Sequence, residues 1–157
     1  MIEKRSERSP EQFLAELKEE ISKYPYESKF VIHDHKASHH HFDLRIKRRG
    51  KLVSWALPKA NMPRNTGDKV LAVRTPDHPM YWLNFQGEIP EGEYGAGTVE
   101  IYDSGACIIY SWLPRLVVEF KGKKTTGFYS IIQMDKDYLL VRMDQEKAKK
   151  KYTSEDL

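Results

Sequence analysis

Five of the six histidines of this sequence lie in one stretch, from His33 to His41, and Asp43 and Arg45 follow closely. Neutral imidazole and carboxylate groups are ordinary ligands for divalent transition metals such as manganese and zinc. A guanidinium group cannot bind a metal, but its planar fork of donors fits a phosphate oxygen. Metal ligands and an arginine in one stretch therefore indicate phosphoryl chemistry.

A β-strand from His40 to Arg48 would sort these side chains by face. Because side chains alternate along a strand, His41, Asp43 and Arg45 would share one face. The Cα atoms of neighbours on that face would lie about 7 Å apart. The opposite face would carry only apolar side chains, which we expect in the core: Phe42, Leu44 and Ile46.

His35, in the predicted turn before this strand, is the candidate for a second imidazole ligand. Two histidines and one carboxylate leave coordination positions open, as catalytic metal sites do. The other histidines of the stretch are interpreted as partly exposed strand residues without a shared role: His33, His39 and His40.

Four residues outside the cluster are candidates for contacts with a phosphate or a nucleic acid. His78 lies between two prolines in a predicted rigid loop, where it can act as a general acid or stabilise an oxyanion. Trp82 can stack on a base. Lys59 and Arg74 can contact phosphates, although solvated surface positions suit lysine equally well. Glycines 92, 95 and 97 precede a strand-like run, not a helix, and predict a tight turn or bulge, not a phosphate-binding loop.

The elements that must position these residues are mostly short strands. One amphipathic helix is predicted from Pro10 to Lys23, with Ser9 as its N-cap and Gln12 completing a capping box. Turn signals separate eight strand-like runs, at residues 29–32, 40–48, 52–56, 69–75, 97–103, 116–121, 127–134 and 138–143. This pattern predicts a mainly β fold, an antiparallel β-barrel of about eight strands with an N-terminal helix and short flanking helical segments.

The composition sets the class of protein. The chain has 157 residues, enough for one domain with its own core, which we place at 10–143, between a flexible N-terminus at 1–9 and a charged C-terminal segment at 144–157. One cysteine allows no internal disulfide, so we expect a reducing, cytoplasmic setting. No apolar run is long enough for a membrane span, and no membrane partner is expected. The net charge of +3 permits a nucleic-acid partner without requiring one.

Several motifs together are specific to one known family. They are FVIHDHKA at residues 30–37, HFDLR at 41–45, SWALPK at 54–59, LAV at 71–73, DHP at 77–79 and FQGEIPEGEYGAGTV at 85–99. On these motifs the chain, from about Lys29 to Met143, resembles the 3′-phosphoesterase domain of bacterial DNA ligase D and its stand-alone relatives.

The resemblance implies a compact β-barrel enzyme that prefers manganese, with zinc or another divalent transition metal as the alternative. Such an enzyme removes a 3′-terminal ribonucleoside and then the 3′-phosphate from a primer-template end, leaving a 3′-hydroxyl. Carried over by position, His35, His41 and Asp43 are the expected metal ligands, and Arg45 and His78 the expected contacts to the scissile phosphate. The implied partners are nucleic acid with a primer-template 3′ end and a separate DNA ligase or end-joining proteins.

Two positions depart from the family pattern. Val70 stands where the family usually has a basic residue; Lys69 is adjacent but on the opposite strand face, and Arg74 shares the face about 13 Å away. Trp82 replaces a tyrosine four residues past His78 and offers no phenol. Two alternatives therefore stay open: a catalytically weak end-binding module of a repair complex, and a hydrolase of small phosphorylated molecules.

Overall fold

The computed structural model describes residues 9–153. The flexible N-terminus expected at 1–9 therefore lies, apart from Ser9, outside the described residues, as do residues 154–157. The elements in chain order are α1 Pro10–Ser22, β1 Tyr26–Lys36, β2 His40–Arg48, β3 Lys51–Leu57, β4 Lys69–His78, a 3-10 helix Met80–Asn84, β5 Gly87–Ile89, β6 Gly97–Ser111, β7 Leu116–Lys121, β8 Thr126–Gln133, β9 Tyr138–Arg142 and α2 Gln145–Thr153.

Eight antiparallel strands form a closed ring, which confirms the predicted fold class. The order around the ring is β1-β2-β3-β4-β9-β8-β7-β6, and pairing between β1 and β6 closes it. β5 adds to the free edge of β6 outside the ring. Closure removes the exposed strand edges that an open sheet would leave. The three-residue β5 escaped prediction because it is too short to show an alternating pattern.

The barrel core forms on one face of each strand. Phe42, Leu44 and Ile46 face it as predicted, together with Trp55 of β3. The prediction ended β1 at Ile32, but the strand continues through the polar residues His33–Lys36 because β2 and β6 pair with it on both sides. β6 likewise runs 15 residues, well beyond the predicted end at Asp103.

The connections of the barrel alternate between its two ends. Since neighbouring strands are antiparallel, the connections at 37–39, 58–68 and 122–125 emerge together at one end, which we call the upper end. The connections at 49–50, 112–115 and 134–137 lie at the lower end. His35 near the end of β1 and His41 near the start of β2 therefore both lie close to the upper end.

Helix α1 has the predicted capping box between Ser9 and Gln12. Its one buried residue is Glu20, which receives hydrogen bonds from Arg48 at 2.8 and 2.7 Å and from Arg49 at 3.2 Å. Burial by itself raises the pKa of Glu20, but the hydrogen bonds and charges of these arginines outweigh it and lower the pKa below the ordinary 4.5. This network ties α1 to the β2–β3 turn.

Replacing Glu20 by glutamine is expected to loosen α1, because it leaves Arg48 and Arg49 without their anion. We expect a loss of about 2 kcal/mol, between the values for exposed and fully buried pairs. Urea unfolding and amide exchange of α1 measure it. Glu19→Gln, which removes only the exposed pair with Lys23, is the matched control and should cost about 0.5 kcal/mol or less.

The pH dependence of this network has a definite sign. The folded pKa of Glu20 is depressed, so its stabilisation is fully present above pH 4.5 and is lost as the pH falls through the lower folded value. The glutamine variant should lack this acid-dependent component.

Residues 145–153 of the charged C-terminal segment form the helix α2, which is not wholly solvated. Ala148 is buried against Val117 and Phe128, and Tyr152 packs beside them. The lysines of α2 are exposed. Among residues 9–153, no helix has the length and apolar character needed to cross a membrane.

Candidate metal and phosphate site

The candidate site lies on the outer face of β1, β2 and β3. In the register of β1 and β2, His33 pairs with Asp43 and His35 with His41, so all four side chains share that face. The segment after β4 covers it, since carbonyl groups of Phe85 and Gly95 accept hydrogen bonds from His33 and His35. Asp43 is consequently only 5% exposed, although it points away from the barrel core.

The three predicted metal ligands meet at one point. His35, His41 and Asp43 each offer a ligand atom, and these atoms lie within 4.8 Å of one another. Asp43 Oδ2 lies 3.2 Å from His35 Nδ1 and 3.1 Å from His41 Nε2. Among the described residues this is the one group of three or more such side chains with that geometry.

The outer hydrogen bonds of the two histidines fix which nitrogens face inward. His35 Nε2 donates to the Gly95 carbonyl at 2.6 Å, and His41 Nδ1 donates to the His39 carbonyl at 2.9 Å. Since a carbonyl only accepts, both outer nitrogens carry hydrogen, and in the neutral rings the inner nitrogens present lone pairs toward Asp43. Carbonyl groups orient metal-binding histidines in this way.

Two lone pairs and a carboxylate facing one another need a positive charge between them. Without a metal the charge is a proton, and the hydrogen bond to Asp43 raises the pKa of His41. Burial opposes ionisation of Asp43, but its hydrogen bonds with His35 and His41 and the charge of Arg45 hold its pKa well below the ordinary range. A divalent cation fits this donor set because it satisfies all three groups at once.

Arg45 lies beside the ligands, buried to 4% exposure. Its Nε donates to His33 Nδ1 at 3.2 Å, its Nη2 is 3.5 Å from Asp43 Oδ2, and its guanidinium lies 5.3 Å from the centroid of the Trp82 ring. Its Nη1 is buried and has no hydrogen-bond partner within residues 9–153. An unpaired donor on a buried guanidinium is costly, so this atom is poised for an acceptor such as a phosphate oxygen.

His33 is a site residue that the sequence reasoning assigned no role. It is fully buried, and its Nε2 donates to the Phe85 carbonyl at 3.0 Å while its Nδ1 accepts from Arg45. Burial and the Arg45 charge lower its pKa to about 4, which keeps the ring neutral and able to accept. Strand alternation could have revealed this position, because a β1 extended to Lys36 places His33 on the same face as His35.

His78 reaches the site through a β-bulge. Ser54 pairs with Thr75 and Leu52 with His78, so β4 has one extra residue in this stretch, and Pro76 lies within it. The extra residue rotates His78, instead of Asp77, toward Ser54, whose Oγ lies 3.5 Å from His78 Nδ1. A proline inside a strand-like run is the sequence signal for such a bulge.

The two nitrogens of His78 have different environments. Nδ1 donates to the Pro76 carbonyl at 2.8 Å, so Nε2 is the nitrogen available to a ligand. Burial and the charge of Arg45 lower the pKa of His78 and favour the neutral ring. Its ring also packs edge-on against Trp82, with 5.2 Å between the centroids.

The other predicted contacts divide into two groups. Trp82 belongs to the site, since it packs on Arg45 and His78. Lys59 is exposed in the 58–68 connection. This connection follows directly after β3, whose last residue, Leu57, pairs with Phe42 next to His41.

Arg74 lies apart from the site. In register it pairs with Trp55, on the opposite face from Arg45, and its guanidinium donates to Asp77 at 2.6 Å. The family resemblance leads one to expect a basic residue at position 70. Val70 instead packs against the core and offers no charge to a phosphate.

The remaining histidines of the stretch do not join the cluster. His40 Nε2 lies 2.5 Å from Asp34 Oδ1, on the opposite face as predicted, and His39 Nε2 donates to the Pro58 carbonyl.

Comparisons with known proteins identify the family of this chain. The family model of the DNA Ligase D 3′-phosphoesterase domain matches residues 33–154. The multifunctional non-homologous end joining protein LigD of Mycolicibacterium smegmatis is 42% identical over 141 residues, which cover 82% of this chain and 18% of the relative. The corresponding protein of Pseudomonas aeruginosa is 41% identical over 116 residues, covering 67% of this chain and 13% of the relative. The chain thus spans less than a fifth of these relatives, and it belongs to the DNA ligase D 3′-phosphoesterase domain family.

Proposed function

We propose that this protein is a manganese-dependent phosphoesterase that processes 3′ ends of nucleic acids. It removes 3′-terminal ribonucleosides and 3′-phosphates from primer-template ends and leaves a 3′-hydroxyl. One observation carries the proposal: a cluster of three metal ligands lies beside a free arginine donor. The ligand atoms lie within 4.8 Å of one another, and the buried Nη1 of Arg45 has no hydrogen-bond partner among the described residues. A metal site alone or an arginine alone would not specify phosphoryl chemistry.

His35, His41 and Asp43 would hold the metal. When bound, the ion supplies Lewis-acid polarisation of a phosphoryl oxygen and lowers the pKa of a bound water. Zinc is the alternative, since the same ligand types suit it. The chain itself supplies the donor set, in which both inner nitrogens are aimed at one carboxylate oxygen.

The chain's own residues account for the binding of the phosphate group. Arg45 Nη1 donates to a phosphate oxygen, and His33 holds the guanidinium in place by accepting from Nε. The hydrogen bonds are already oriented before the substrate arrives, which is what makes such donors effective in a transition state.

His78, whose ring packs on Trp82 beside Arg45, can exchange a proton at Nε2. The neutral ring accepts a proton at Nε2, and the negative charge of a bound phosphate favours that protonated form, which then donates to a phosphate or leaving-group oxygen. Ser54 and Trp82 keep the ring in position.

The product of this reaction suits a DNA ligase or polymerase, because both need a 3′-hydroxyl. The relatives are named as non-homologous end joining proteins. We therefore propose that a DNA ligase or an end-joining protein uses the 3′-hydroxyl ends that this chain prepares.

Purified protein with manganese is expected to convert a primer-template carrying a 3′-phosphate into one carrying a 3′-hydroxyl. Gel electrophoresis of a 5′-labelled primer and release of inorganic phosphate measure the reaction, and a primer with one 3′-terminal ribonucleotide tests ribonucleoside removal. The protein without added metal and with a chelator is the control.

Two outcomes would contradict the proposal. Tight binding of the primer-template without turnover, in manganese or zinc, indicates an end-binding module. Faster turnover of free nucleoside phosphates than of primer-template ends indicates a hydrolase of small molecules.

A further inference from the structure

A second polar pocket opens at the upper end of the barrel, separate from the metal and phosphate site. It has a volume of about 560 Å³, and we call it the basic pocket. Its lining residues are Arg64, Tyr102, Lys124, Thr126 and Tyr129. The lining thus carries two cations and no carboxylate among the described residues.

One of the two cations of the basic pocket lies over an aromatic ring. Lys124 Nζ lies 4.5 Å from the centroid of Tyr102, whose ring packs on Phe42 with 4.7 Å between centroids. Cation–π contacts of this kind restrain a lysine without neutralising its charge, in contrast to an ion pair with a carboxylate. The ammonium group therefore keeps its full charge for an anionic ligand.

Tyr129, which lines the pocket, is buried and hydrogen-bonded. Tyr129 is 3% exposed, and its hydroxyl donates to the Pro63 carbonyl at 2.7 Å, next to Arg64. A third cation, Arg142, lies over the ring of Tyr129 at 5.0 Å from the ring centroid and donates to the Thr126 carbonyl. Two arginines, Arg64 and Arg142, thus lie near the buried side chain of Tyr129.

The basic pocket lies at the same end of the barrel as the metal ligands His35 and His41. Arg64 lies in the 58–68 connection and Lys124 in the 122–125 turn, which emerge at the upper end near His35 and His41. Lys59, at the start of the 58–68 connection, lies between His41 and Arg64 in the sequence. The two sites are also linked through β2, because Phe42, which packs under Tyr102, stands between His41 and Asp43.

We propose that the basic pocket binds backbone phosphate of the substrate nucleic acid, away from the 3′ end that occupies the metal and phosphate site. The proposal rests on the proposed function for the identity of the strand. Exposed lysine and arginine groups without carboxylate partners are the usual contacts to phosphodiester groups, and they orient the strand without reading its sequence.

The test is the binding of a fluorescein-labelled primer-template with a 3′-phosphate, measured by anisotropy over a range of salt concentrations without divalent metal. The double variant Arg64→Gln, Lys124→Gln is expected to bind about tenfold more weakly at low salt. The slope of log Kd against log salt should fall by about two, one for each cation that no longer neutralises a phosphate.

The matched control removes the same charge from the opposite end of the barrel. Lys51→Gln, Lys136→Gln changes two exposed lysines at the lower end and should leave the affinity and the salt slope near those of the wild type. Equal losses in both double variants, or none in either, would overturn the proposal. A loss confined to binding of thymidine 3′-monophosphate, with the primer-template unaffected, would overturn it in favour of a small-nucleotide pocket.

A hydrolysis measurement separates this proposal from the proposed function. With manganese, the Arg64 and Lys124 double variant should hydrolyse a mononucleoside 3′-phosphate at the wild-type rate, because that substrate does not reach the basic pocket. If the wild type hydrolyses nothing, the proposed function fails, and the anisotropy result still decides whether the pocket binds the nucleic acid.

Discussion

Replacing Asp43 by asparagine is expected to abolish manganese binding and to reduce 3′-phosphate removal by about 10³-fold or more. Asp43 Oδ2 is the atom that both His35 Nδ1 and His41 Nε2 approach, at 3.2 and 3.1 Å. The amide keeps the size of the side chain but removes the negative charge that a divalent cation needs. Several kcal/mol of transition-state stabilisation would be lost, and each 1.4 kcal/mol is about tenfold in rate.

Metal binding by the Asp43→Asn variant can be measured directly, by calorimetry or by the electron paramagnetic resonance signal of free manganese. The wild type should also release protons on binding, because Asp43 raises the pKa of His41 and the metal displaces the proton held there. Circular dichroism reports whether the variant keeps the β fold.

Asp34→Asn is the matched control for Asp43. It removes another aspartate with an imidazole partner, since Asp34 Oδ1 lies 2.5 Å from His40 Nε2, but this pair lies on the opposite face of the same two strands. We expect metal affinity and turnover within about threefold of the wild type. Equal losses in the two variants would mean that the cluster on the outer face is not the metal site.

The second large effect is expected at Arg45. Arg45→Met should lower kcat by about 10²- to 10³-fold, the usual loss when one oriented donor to a developing negative charge is removed. Methionine fills the buried volume, but nothing replaces the free Nη1 donor. Single-turnover measurements of phosphate release at saturating primer-template separate this loss from weaker binding.

Arg45→Lys tests the geometry rather than the charge. A lysine keeps the positive charge next to Asp43, but it lacks the fork that bonds His33 through Nε and leaves Nη1 for the substrate. We expect only a small recovery of kcat. Arg74→Gln is the control, because that guanidinium is bound to Asp77 on the other face; an effect as large as that of Arg45→Met would contradict the assignment.

Local patterns were sufficient to predict most of the fold. The bounds of β2 and β7 agree with the predicted runs. β2 alternates apolar and polar residues, whereas β7 is a short run rich in β-branched and aromatic residues. Turn residues marked most of the other boundaries. The errors fall where tertiary pairing overrides local composition, as in β1, where polar residues continue the strand because β2 and β6 both pair with it.

The polar residues of β1 show why the site was only partly predictable. Strand parity placed His41, Asp43 and Arg45 together, and the family resemblance implied a ligand role for His35 and a phosphate contact for His78. Parity could not reveal the role of His33, because β1 was predicted to stop before it. It also could not show that Gly95 and Phe85, which lie 60 and 52 residues from their histidine partners, supply the carbonyl groups that orient the rings.

The sequence by itself determined the class of fold and the residue types gathered for metal and phosphate chemistry, because alternation and local motifs encode which face each side chain occupies. The tertiary structure decided which nitrogens point inward, which arginine atom has no partner among the described residues, and how a bulge at Pro76 brings His78 to Arg45's face of the sheet. It also brought the basic pocket to the end of the barrel that carries the histidines. These features depend on contacts between residues far apart in the chain, which closure of the barrel creates and which no local pattern records.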